Sequence, residues 1–133
     1  MPVIQLARRL RNGTEADFDS IQQISESLAE FRHERDWTPY HTPQNLAISI
    51  TIEAAELLEH FQWASDDEVA SNVAENPEAV AAELADVAIY VLQLAQVLGI
   101  SLSDAIRAKI AENAVRYPVS LARGNHRKHD QLG

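Results

Sequence analysis

Two stretches of this chain, residues 45–63 and 77–98, are apolar at most positions, yet each carries a pair of acids three residues apart. The first reads Asn45-Leu-Ala-Ile-Ser-Ile-Thr-Ile-Glu53-Ala-Ala-Glu56-Leu-Leu-Glu59-His60-Phe-Gln-Trp63, and the second contains Val80-Ala-Ala-Glu83-Leu-Ala-Asp86-Val-Ala-Ile-Tyr90. On a helix, residues three apart share a face. Taking an unpartnered polar group out of water costs about 2–7 kcal/mol, and a charge costs more. Two helices presenting these faces to each other collect Glu53, Glu56, Glu83 and Asp86 in one place. Four carboxylates that close do not all stay ionised without a cation. An all-oxygen donor set suits Mg²⁺, with Mn²⁺ as a substitute. One acidic pair alone reads as a solvated helix face; two pairs on the two most apolar helices favour a metal site. There is no cysteine, which excludes disulfides and thiolate-bound zinc.

The rest of the chain keeps the same helical period. Phe18, Ile21, Ile24, Leu28 and Phe31 recur at three- and four-residue steps, predicting a helix from Thr14 to about Asp36 with Thr14 and Asp17 as its capping pair. Trp37–His41 is a loop, broken by Pro39. Thr42 and Pro43 open a second helix to about Trp63. Residues 64–76 are polar and acidic, enough for a short helix. Asn76 and Pro77 repeat the cap-then-proline signal for a third long helix, which Gly99 stops after Leu98. Ser101 with Asp104 caps a fourth, ended near Tyr117 by Pro118. The expected fold is all-α, a four-helix bundle in a single domain spanning 1–133, with its core at about 14–118. The tail, 119–133, is polar and locally basic at Arg127-Lys128-His129, and expected to be mobile in part.

A formal net charge of −9 sets the chain against nucleic acid and anionic membranes as partners, while leaving a cation-bridged phosphate ligand open. The most apolar segment, Val87–Ile100, falls short of the roughly 20 residues of a membrane span. Met1–Gly13 lacks an apolar run of signal-peptide length. These features lead to the expectation of a cytoplasmic protein. The third helix is apolar nearly all round from Val80 to Ile100, more than a four-helix monomer needs to bury, so a homo-oligomer is expected.

Read together, Glu53-x-x-Glu56 and Glu83-x-x-Asp86 resemble the metal signature of the MazG-like, all-α nucleoside triphosphate pyrophosphohydrolases. The flanking text is more specific. Phe31-Arg-His-Glu-Arg-Asp-Trp37, His41-Thr-Pro-Gln-Asn45-Leu, Phe61-Gln-Trp63 and Lys109-Ile-Ala-Glu-Asn113-Ala-Val-Arg116-Tyr117-Pro118 are similar to the dCTP pyrophosphatase branch. The resemblance spans roughly Ile24 to Pro118. It implies hydrolysis between the α and β phosphates, giving a nucleoside monophosphate and diphosphate, with Mg²⁺ held by Glu53, Glu56, Glu83 and Asp86. Glu56, and nearly as well Glu53, is the implied catalytic base. Trp37 and Trp63 would flank the base, where stacking is worth about 1–3 kcal/mol. Lys109 and Arg116 would hold phosphate, and Asn113 and Tyr117 lie on or beside the same helical stripe. His41 and Asn45 are further candidate substrate contacts. Where relatives can carry a base-facing histidine on the first helix this chain has Leu28, which permits a different or broader base preference. Dimers or a tetramer are the implied assemblies.

Three rivals compete with this reading. One is a hydrolase of the same superfamily acting on dUTP or modified nucleotides. Another is a di-iron carboxylate bundle, but that architecture needs Glu-x-x-His on two helices and only Glu30-x-x-His33 fits. The last is a non-catalytic helical module, metal-binding or interactive, whose acids are structural.

Overall fold

The computed structural model describes residues 20–132, and among these every regular element is helical. Helix α1 (Ile21–His33) leads through a 3₁₀ turn (Thr38–Tyr40) to α2 (Pro43–Glu59). Helices α3 (Asp66–Glu75) and α4 (Pro77–Val97) follow, then α5 (Leu102–Arg116), α6 (Val119–Ala122) and a second 3₁₀ turn (His129–Gln131). The four long helices expected from the sequence are α1, α2, α4 and α5. The chain forms two compact units divided at Gly99–Ile100.

Local chemistry fixes most boundaries. Ser20 is extended (φ −101°, ψ 145°) and caps α1 through a reciprocal box with Gln23. A single helix running through from Thr14 is therefore corrected: α1 starts at Ile21, and the Thr14–Asp17 pair lies outside the described residues. Thr42 accepts from the Asn45 amide at 3.2 Å and Pro43 fills the first position of α2, as expected. Ser65 and Glu68 cap α3 reciprocally. Asn76 behaves differently from expectation. It also closes α3, its N–H donating to the Asn72 carbonyl at 3.1 Å, and at ψ 65° its side chain caps nothing on α4. Gly99 ends the first unit at φ +66°, a conformation that glycine adopts without a Cβ penalty.

Within the first unit α4 is the central element, packed most extensively on α2 and also on α1 and α3. On α2 the less exposed positions are Leu46, Ser49, Ile50, Glu53, Leu57 and His60, a stripe at helical spacing. Glu53 thus sits on the packed face. On α4 the corresponding stripe includes Val80, Glu83, Asp86, Val87 and Tyr90. Leu46 on α2 is the most buried of the described residues, at 1% exposure. The Gln96 side-chain amide donates to the Ser25 carbonyl at 2.7 Å, tying α4 to α1 across 71 residues of sequence.

At 21 residues the whole of α4 is long and apolar enough, by length and composition, to cross a membrane. This corrects the expectation drawn from Val87–Ile100 alone. Two acids near its middle, on the stripe facing α2, favour packing against protein.

The second unit is α5 with the tail. Ser101 accepts from the Asp104 amide and caps α5, and Pro118 follows its end. The tail carries the one-turn α6 and a 3₁₀ turn rather than irregular chain alone.

Replacing Leu46 by Ala removes the most buried side chain of α2 and is expected to cost about 2–5 kcal/mol of stability. Urea unfolding of the variant checks this, and a loss below about 1 kcal/mol would contradict it.

Candidate metal centre

Pairing α2 with α4 brings the two acidic pairs together. Glu53, Glu56 and Glu83 each offer a carboxylate oxygen, and these oxygens all lie within 4.8 Å of one another. Glu53 and Glu83 are half-buried on the packed stripes, whereas Glu56, one turn on, opens to solvent. Asp86 is half-buried one turn after Glu83. Among the described residues this is the one cluster able to hold a metal ion. Glu30 and His33, the fragment of a di-iron pattern, are both exposed on α1 and outside it.

The electrostatics follow from the packing. Burial pushes the Glu53 carboxyl above its ordinary 4.5, and the negative charges of Glu56, Asp86 and Glu83 push it further. Asp86, though outside the tightest triad, therefore lies within electrostatic reach. The donor set fits a hard divalent cation: all ligands are carboxylate oxygen, their repulsion is uncompensated, and one member remains open to solvent.

The two tryptophans are positioned by unusual backbone. Asp36 (φ 53°) turns the chain out of α1 into Trp37, and Trp63 itself adopts φ 68° after α2. A left-handed conformation is uncommon for a bulky residue and costs about 1–3 kcal/mol. The Trp63 side chain recovers nothing by packing, for it is 93% exposed. Core filling is thus excluded for Trp63 in the chain by itself. Trp37 is 43% exposed and meets Phe31 edge-on at 5.9 Å. His41 lies 6.1 Å from the Trp37 ring.

Asn45 has a local duty, its side-chain amide donating to the Tyr40 carbonyl at 2.8 Å and holding the 3₁₀ turn against the start of α2. In the second unit Lys109, Asn113 and Arg116 lie on α5 with Tyr117 at its end. Lys109 donates to Glu112 at 2.9 Å, and Arg116 pairs with the same carboxylate. The hydrogen bond from Lys109 and the Arg116 charge hold Glu112 below its usual range. Tyr117 packs edge-on against His129 at 5.8 Å. Glu112 was not singled out in the sequence, although its i+3 and i−4 spacing from Lys109 and Arg116 is the signal that finds it.

With the geometry established, comparison with known proteins places the chain. The MazG-like family model matches residues 48–132. Mouse dCTP pyrophosphatase 1 is 38% identical over 128 residues, covering 95% of this chain and 74% of that protein. Human dCTP pyrophosphatase 1 is also 38% identical, over 85% of this chain and 68% of its own length. A crystal structure of a pyrophosphatase from Archaeoglobus fulgidus superposes with a TM-score of 0.70 at 44% identity, covering 74% of this chain and 92% of that one. The chain belongs to the MazG-like family.

Because the folded Glu53 value is raised, its favourable contribution is whole below the ordinary 4.5 and is lost as pH rises through the folded value. With divalent cations chelated, Glu53→Gln is therefore expected to melt above wild type at about pH 7 and level with it at about pH 4. Thermal unfolding across that range checks the sign; a variant less stable than wild type at neutral pH would contradict it.

Proposed function

We propose that this protein is a Mg²⁺-dependent nucleoside triphosphate pyrophosphohydrolase, converting a (deoxy)nucleoside triphosphate and water to the monophosphate and diphosphate. The observation that carries the reading is the convergence of the α2 and α4 carboxylates, three of them within 4.8 Å. The names of the relatives support the same class and favour dCTP, or a modified relative of it, as substrate.

Glu53, Glu56, Glu83 and Asp86 would hold the cation. When bound, Mg²⁺ supplies neutralisation of phosphate charge and orientation of the triphosphate for in-line attack. Glu56 and Glu53 are our candidates for receiving the proton of the attacking water. The raised affinity of Glu53 for a proton suits that role. Attack at the α-phosphorus forms one P–O bond and breaks the α–β bridge, with diphosphate leaving. Trp37 and Trp63 present indole surface to the base, each stacking contact worth about 1–3 kcal/mol. Their exposure supports this role, and the strained Trp63 backbone is what a functional position tolerates. Lys109 and Arg116 are assigned to phosphate, with Glu112 keeping both cations oriented until the triphosphate competes for them. Asn113 and Tyr117 complete that group, and His41 and Asn45 line the base end.

The same reading includes assembly as a homo-oligomer, a dimer or tetramer. Ile48, Ile52 and Leu84 on the paired helices are each about half exposed, at 50%, 49% and 54%. Such apolar faces on α2 and α4 are covered at low cost by a second copy.

Incubation with Mg²⁺ and a panel of canonical and modified nucleoside triphosphates, with product separation, tests the assignment. Monophosphate plus diphosphate is expected, with activity lost in EDTA and reduced at least about 100-fold in Glu56→Gln, the usual scale for losing an acid–base group. Diphosphate nucleotide plus orthophosphate would contradict the bond assignment. Absence of turnover in folded protein would favour a binding module.

A further inference from the structure

The end of α1 and the turn after it hold a polar group that the acidic cluster leaves unexplained. Arg32 Nε and Nη1 are enclosed without a hydrogen-bond partner, and so is His41 Nδ1. An enclosed donor on a charged group, left unpaired, is among the more costly defects that a fold can carry. Among the described residues no carboxylate pairs with Arg32. The ion pair nearest in sequence is Arg35 with Glu34, and Arg35 also stacks over the Phe31 ring and donates to the Phe31 carbonyl.

The surroundings say what is missing. Trp37 is tied to Arg32 directly, its N–H donating to the Arg32 carbonyl at 3.1 Å. Its indole is tilted against the His41 ring and leaves 43% of the residue open. Burial and then the Arg32 charge hold the His41 imidazole below its ordinary 6.5. An open indole and a guanidinium with spare donors, both next to His41, suit a flat ring with acceptors on its edge. Phosphate alone would need the charge but not the indole.

We propose that Arg32 is a specificity-determining residue for the nucleotide, its guanidinium donating to acceptor atoms on the edge of a base stacked on Trp37. This rests on the pyrophosphohydrolase reading above. A guanidinium only donates. It favours edges with neighbouring acceptors, O2 and N3 of cytosine or O6 and N7 of guanine. Adenine, whose N6 amino donor stands beside the N1 and N7 acceptors, offers no pair of neighbouring acceptors and is disfavoured. Nε and Nη1 are enclosed, so meeting a base on Trp37 requires the flexible side chain to rotate. That rotation breaks no existing hydrogen bond of these two nitrogens.

The test compares wild type, Arg32→Met and Arg32→Lys as full chains. Three readouts are taken: kcat/KM with Mg²⁺ on cytidine, guanosine and adenosine triphosphates in deoxy form, thermal unfolding without nucleotide, and tryptophan quenching by the corresponding monophosphates. Wild type is expected to prefer cytosine or guanine over adenine. Arg32→Met should lower kcat/KM for the preferred base about tenfold or more, through KM, as loss of one charge-assisted hydrogen bond requires, with a smaller effect on adenine. It should melt no lower than wild type, since it removes an unpaired buried donor, and Arg32→Lys should keep part of the preference. A uniform loss across all three bases would overturn base recognition in favour of a phosphate anchor. A lowered melting temperature with unchanged base ratios would overturn it in favour of a structural role, and adenine preference in wild type would overturn it outright. Should wild type turn over no nucleotide, the pyrophosphohydrolase reading fails separately. The quenching series then decides for or against Arg32, by whether the monophosphate preference exists and disappears in Arg32→Met.

Discussion

The packing of α2 on α4 is the interaction on which the rest depends. It places Glu53 and Glu83 on buried stripes where apolar side chains would pack better, with Glu56 and Asp86 one turn away. Like charges held by two rigid helices cannot move apart without unpacking those helices. Burial, and after it the charges of Glu56, Asp86 and Glu83, raise the proton affinity of Glu53. A cation, or a proton, relieves the repulsion. The site is thus preorganised by the same contact that makes the unit fold, and its cost is carried by the fold before any ligand arrives.

Other costs concentrate around the proposed base and phosphate groups. Trp63 accepts a left-handed backbone and full exposure, Arg32 keeps enclosed donors unpaired, and Ile48, Ile52 and Leu84 stand half open. A chain optimised only for stability would place glycine at residue 63 and an aliphatic residue at 32. Each departure has the form of a surface kept for something else, an aromatic ring, an acceptor edge or a second copy. The ion pairs on α5 differ in kind. Lys109 and Arg116 are held by Glu112 at an exposed surface, an arrangement that orients them while adding little stability.

What the sequence revealed depended on how local the cause was. Thr42, Ser65 and Ser101 cap their helices by contacts within three residues, so helix starts at 43 and 102 were legible. The acidic pairs were legible because a carboxylate on an apolar stripe is conspicuous at helical spacing. Asn76 misled, since one residue closes α3 while opening α4 and its backbone cannot serve both with a side-chain cap. The start of α1 misled as well: periodicity extends back through Phe18, but Ser20 breaks the backbone. The length of α4 was legible from Pro77 and Gly99, but its capacity to span a membrane was judged from its most apolar part alone. Arg32 could not have been found from spacing, because the enclosure of its donors is a property of the folded chain and not of local sequence.

The central claim is that the α2 and α4 carboxylates form one cation site. Titration of Mn²⁺ followed by electron paramagnetic resonance tests it most directly, since the sharp signal of the free hexaaqua ion disappears on binding. Wild type is expected to quench that signal saturably, Mg²⁺ to compete, and Glu83→Gln, altered on α4 alone, to lose most of the affinity that residues on α2 would otherwise retain. Equal binding by wild type and Glu83→Gln would mean that the two helices do not share an ion, and would contradict the account.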